Sequence, residues 1–220
     1  MLTTTSTIPR TAGVGLLVYG VGTAFAFAAS GSPGGDYDSS MVSRYVGSGH
    51  WLPAFVVWYA GALCALGLLV AGTALRRLGG QVGELLWGLA IAGTTISVVG
   101  AFVSGGVDVA MAEGRSAVQH GVPHPVVYTL TEIGNLLAVC APALFVGVAA
   151  LLLSRRAAMP GWLRVFSVLA GVCGVLAPLF FTYGVFVLWT IVAGIIWTVT
   201  GPRDADFATA TTAVPQESLA

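Results

Sequence analysis

The side chains best equipped for chemistry are three histidines, His50, His120 and His124, which share their stretches of chain with Asp36, Asp38, Asp108 and Glu113. Neutral imidazole and carboxylate suit zinc or copper, so the histidines are candidate metal ligands. The spacing weakens that reading. His120 and His124 are four apart, as on one helix face, but Pro123 and Pro125 flank His124 and disfavour helix there. Wet loop histidines are the plainer expectation, well below a spaced H-E-x-x-H signal. Asp36-Tyr37-Asp38 is a D-x-D of the kind that binds metal in membrane glycosyltransferases, but a three-residue match is expected by chance.

A second group is polar without being histidine-rich. Glu132 shares one arc at 100° per residue with Tyr128, Thr129 and Asn135. Thr94, Ser97, Ser104 and Asp108 form a similar stripe earlier in the chain. Facing lipid, such stripes would cost too much, so they are expected to face each other or a small aqueous mouth. The bland role is interhelical hydrogen bonding that sets register. The sharper one is an outward-facing site for a small polar ligand, ion or proton, carried by Glu132, Asn135, Asp108 and the facing hydroxyls. No nucleophile elbow, phosphate loop or dinucleotide fingerprint occurs in a suitable context, so no catalytic residue is assigned. Cys64, Cys140 and Cys173 stand singly and read as small apolar residues.

The elements that must hold these residues follow from composition. Of 220 residues, 56% are hydrophobic and 8% charged, and mean hydropathy is +0.90. A water-soluble domain carries about 25% charged residues. Nine Arg without a single Lys, against nine acids, cannot wet a globule of this length. The surplus therefore faces lipid, and the balanced charge leaves no basic stripe for nucleic acid.

A bilayer core of about 30 Å needs about 20 apolar helical residues. Six stretches qualify or nearly so: 11–29, 52–75, 84–104, 126–153, 162–180 and 184–200. Helices are expected because each pairs its own backbone groups within lipid, and nothing alternates as in a membrane barrel. The prediction is an all-α polytopic bundle of six transmembrane helices over residues 1–200, with a disordered cytoplasmic tail over 201–220. Arg10, Arg76, Arg77, Arg155, Arg156, Arg164 and Arg203 fall on one side of this threading, and only Arg44 and Arg115 on the other. That asymmetry places both termini in the cytoplasm of a cell membrane. Trp51, Trp87, Trp162 and Trp197 are expected near span ends, and Trp58 and Trp189 within the packing.

The first span also resembles a secretory signal, with small residues at Ala24-Phe25-Ala26 and Ala26-Phe27-Ala28, although its apolar run exceeds the usual signal core. Cleavage would leave five spans. Between spans, 30–50 is expected to hold a short surface helix with Met41, Val42, Tyr45 and Val46 on one face, and 105–124 to be an exterior loop. Gly61, Gly67, Gly72, Gly93, Gly100, Gly171 and Gly174 lie inside spans, where small residues let helices approach closely. Pro142 and Pro178 are expected to kink theirs.

Met159-Pro160-Gly161-Trp162-Leu163-Arg164, followed by Val168-Leu169-Ala170-Gly171-Val172 and Leu176-Ala177-Pro178, resembles the fifth-span start of small six-helix membrane proteins of actinobacterial type, grouped as a domain of unknown function. The segment 39–50 leading into a span that ends at Arg76-Arg77 is similar as well. The resemblance implies topology only and brings no catalytic residues.

Three functions follow as expectations. The first is a non-catalytic membrane protein acting through contacts with lipid, a second copy or another membrane protein. The second is a small transporter or ion pathway through the Glu132 group. The third is an exterior metal- or pH-responsive protein using His50, His120 and His124. In that third case, exterior Arg44 and Arg115 against Asp36, Asp38, Asp108 and Glu113 give −2. Three protonated histidines would make this +1 below a pH of about 6.5.

Overall fold

The computed structural model describes residues 8–29, 51–113, 124–156, 159–177 and 182–202, which are helical with no strand among them. The helices are α1 (Arg10–Ala29), α2 (Trp51–Arg76), α3 (Gly80–Glu113), α4 (His124–Asn135), α5 (Ala141–Arg156), α6 (Gly161–Leu176) and α7 (Tyr183–Thr200). A π-helical turn over Leu136–Cys140 joins α4 to α5, so these three pieces form one rod. Phe55–Arg76, Gly80–Val107 and Glu132–Arg155 are long and apolar enough to cross a membrane, while Gly161–Leu176 and Gly184–Thr200 are apolar but shorter.

The π turn has a local cause. Pro142 contributes no N–H, and in an unbroken α-helix its ring would press on the carbonyl four residues back. The chain widens just before it, and the Ala141 N–H bonds to the carbonyl of Leu136, five residues back. The kink expected at Pro142 takes this form. Pro178 lies outside the described residues, as do the surface segment expected within 30–50 and the tail from 203 onward.

The rods close into a ring. α1 packs on α2, α2 on α3, α3 on the α4–π–α5 rod, α5 on α6, α6 on α7, and α7 back on α1. Glycines set the register of nearly every seam. A methyl on Gly15 would meet the Gly67 carbonyl and Ala71, and one on Gly22 would meet Cys64. On α3, Gly72 of α2 approaches Ala90, while Gly100 sits against Ala138 and Gly93 near Phe145. Gly147 meets Gly171 and Val175, and Gly13 meets Gly194 and Thr198. Each pairing runs antiparallel, so the rods alternate in direction. Without water between them, helices in lipid gain by this close contact and not by hydrophobic transfer.

Alternation gathers Arg10, Arg76, Arg155 and Arg164 at one end of the ring. There the Arg10 N–H donates to the Pro202 carbonyl (3.2 Å) and its Nε to the Gly201 carbonyl (2.6 Å). These bonds tie the residues just after α7 to the start of α1, and Arg10 Nη2 donates to the Val199 carbonyl (3.3 Å) in the last turn of α7, where carbonyls lack intrahelical donors. At the same end Arg76 Nε pairs with Glu84 Oε1 at 2.8 Å across the turn between α2 and α3. Gly79 and Gly80 in that turn have φ of 73° and 62°, a region costly for any residue with a Cβ. The outward faces are apolar, with Phe25, Leu63, Phe102, Leu130, Leu169 and Ile195 exposed on successive rods.

Several expectations change. α3 has 34 residues, about 51 Å at 1.5 Å per residue. It continues through 105–113, where a loop was expected. α4 starts at His124 despite its flanking prolines, because a proline in the first helical turn lacks only an N–H that has no partner there. Trp58 and Trp189 are buried packing residues, as expected, and Trp162 stands at the start of α6, where it is exposed. Trp197 lies near the end of α7, as expected, but does not face outward. It is buried edge-to-face against Trp189, with ring centroids 6.0 Å apart, because α7 turns both indoles inward.

Candidate functional site

The polar stripe on α3 does not act as a unit. α3 lies between α2 and α4, and its hydroxyls are divided among neighbours. Thr94 donates to the Ala65 carbonyl of α2 (3.3 Å). Ser104 is buried against Gly134 of α4, whose missing side chain makes room for it. Ser97 turns towards α1, where Tyr19 is buried. Glu132 and Asn135 are half-buried on the fourth rod and line neither of two voids inside the ring. Thr129 is exposed. Asp108 lies on α3, but its side chain, like those of Tyr128 and His124, lies outside the described residues, as do His50 and His120 altogether. The structure thus brings Ser104 to the Glu132-bearing helix, but it separates Thr94 and Ser97 from that helix.

Two voids lie within the ring. One, of about 30 Å³, is lined by Leu16, Leu68, Leu86, Phe145, Leu153 and Trp189 among others, all apolar but for the indole. The indole N–H points elsewhere, donating to Ser167 Oγ on α6 at 2.9 Å. The other void, of about 20 Å³, lies between α1, α2, α3 and the π turn. Tyr19, Thr23 and Ser97 bring hydroxyls to it, and Trp58, Gly61 and Ala138 supply much of the remaining wall. The Tyr19 hydroxyl faces those of Ser97 and Thr23. Yet Tyr19 Oη and Ser97 Oγ, like Ser104 Oγ, are buried without a hydrogen-bond partner. A buried hydroxyl left unpaired costs about 1–3 kcal/mol.

Tyr19 and Thr23 did not figure among the expected site residues. Their signal was present: two hydroxyl side chains four apart in an otherwise apolar helix, which places them on one face. Among the described residues no three His, Cys, Asp or Glu side chains cluster as a metal site. Cys64, Cys140 and Cys173 are half-buried thiols outside any disulfide.

Fold and polar groups together describe an all-helical bundle whose long apolar helices fit a membrane protein. Comparison of the chain with protein-family models, with curated proteins and with solved structures gives no match. The six-helix resemblance at residues 159–178 therefore adds no function, and the geometry alone must supply one.

Proposed function

We propose that this chain is a multi-pass protein of the cell membrane, with six spans and both termini cytoplasmic, acting through contacts with lipid or with other membrane proteins. One observation carries the reading: the ring turns apolar side chains outward on its rods, while the inward polar pairs Thr94 with the Ala65 carbonyl and Trp189 with Ser167 join helices to each other. A bundle built this way offers its surroundings a contact surface. The gathering of Arg10, Arg76, Arg155 and Arg164 at one end supports the orientation, since arginine flanks are retained on the cytoplasmic side. The packing of α1 between α2 and α7 supports retention of the first span, because cleavage would open the ring.

The test is photo-crosslinking in intact cells from positions on the exposed face of α6, such as Val165, Leu169 and Val172. A discrete adduct to a second copy or to one membrane protein is expected. Lone copies under every condition, or flux of an identified solute in proteoliposomes that Glu132→Gln abolishes, would overturn the reading.

A further inference from the structure

The buried hydroxyls of this ring differ in how they are satisfied: Thr94 donates to the Ala65 carbonyl of α2, while Ser104 Oγ, like Ser97 Oγ, has no partner. Those of Ser154, Ser167 and Thr190 donate at 2.7 Å to a carbonyl three or four residues back on their own helix. Ser167 in addition accepts the Trp189 indole N–H, so a residue with no exposure is served as donor and acceptor. Helical serine and threonine can make this bond to their own helix. Ser97 does not make it. It is 5% exposed, its Oγ has no partner, and it lines the same void as Tyr19, which is 1% exposed and equally without a partner. Two unpaired hydroxyls on different helices, α1 and α3, are therefore turned into one space.

The space has a definite size. A water molecule needs about 10–15 Å³ of such volume and two to four polar partners. The void offers about 20 Å³, with Tyr19, Ser97 and Thr23 as partners. Its wall includes Ala138 of the π turn, and π turns recur at functional positions in helices. Pro142 supplies no N–H, so the same segment is short of one backbone donor.

We propose that the void between α1, α2, α3 and the π turn is a binding site for one neutral water molecule, held by Tyr19, Ser97 and Thr23. The chemistry of the wall selects against a cation. None of the lining side chains is a carboxylate, and a bare charge in so apolar a setting is strongly disfavoured unless paired. Water satisfies both orphan hydroxyls at once, while filling the space with a side chain would satisfy neither. The site does not depend on the contact reading, since a transporter or a scaffold could equally contain it.

The test is a crystal structure of the full-length protein from a lipidic phase, at a resolution that shows ordered water. A single peak within hydrogen-bonding distance of Tyr19 Oη and Ser97 Oγ is expected. An empty void with both hydroxyls turned to backbone carbonyls would overturn the proposal, as would density for an ion or a larger molecule. A double-mutant cycle reads the same site in solution. Tyr19→Phe and Ser97→Ala should lower the unfolding midpoint singly, with the double variant lowered by less than the sum, because either change releases the shared water. Strictly additive shifts would count against sharing. If either variant fails to fold, the structure of the unaltered chain still decides.

Discussion

The two voids differ little in size, about 30 and about 20 Å³, and both are bounded by α1, α2 and α3. Their walls have opposite chemistry. On α1, Leu16 faces the first and Tyr19 the second; on α3, Leu86 faces the first and Ser97 the second. An apolar void of this kind stays dry, whereas one ringed by hydroxyls is a place for water. A helix ring held by glycine contacts leaves gaps as a matter of geometry, and the lining residues decide whether a gap is a packing defect or a site.

The largest effect should come from breaking the geometry that creates both. A methyl on Gly67 would collide with the Gly15 carbonyl, which is backbone and cannot swing aside. Gly67→Ala should thus separate α1 from α2 and destabilise the protein by about 3 kcal/mol or more, the upper range of overpacking. Reversible unfolding in detergent micelles measures it, and a loss under about 1 kcal/mol would mean the seam is loose.

Enlarging the apolar void comes next. Leu153 is fully buried in its wall. Leu153→Ala should cost about 2 kcal/mol, the low end for such truncations, because a chain unfolded in lipid already surrounds its leucines with hydrocarbon. Trp189→Phe removes the N–H that meets Ser167 and some of the ring volume, and about 1–2 kcal/mol of loss is expected in the same assay.

A matched pair sharpens the contrast by sign. Ala149→Val fills the apolar void and should stabilise, while Ala101→Val fills the hydroxyl-lined one, expels its water and should destabilise, each by about 1 kcal/mol. Shifts of the same sign for both would mean that the two voids do not differ in hydration. The smallest effect belongs to the solvent-exposed end. Arg76 and Glu84 retain 52% and 61% of their side-chain exposure. Glu84→Gln should change stability by a few tenths of a kcal/mol, and less in high salt.

Helix content was legible from the apolar runs, since only helices and closed barrels satisfy the backbone in lipid. The role of the interior glycines was legible too, and Gly67, Gly72, Gly100, Gly171 and Gly174 all stand at close seams. The candidate site was read less well. Thr94, Ser97 and Ser104 were placed on one stripe facing the fourth rod, but a helix in a ring has two neighbours and an interior. Each hydroxyl took a different one. Tyr19 and Thr23 were missed because a pair of hydroxyls carries little weight until a partner from another helix meets it. The inward turn of Trp197 was not read, because distance along the chain gives depth but not the direction in which a side chain points.

Composition and periodicity alone determined that the described residues are helical and apolar-faced, with Arg10, Arg76, Arg155 and Arg164 at one end, since these properties follow from local backbone pairing and from counting. They could not determine which helix faces meet. Ring order, the π turn's place beside Tyr19 and Ser97, and the division between a dry and a polar void depend on rotation and register between distant segments. Contacts such as Gly15 on Gly67 and Gly100 on Ala138 set that rotation, and they exist only once the rods have packed.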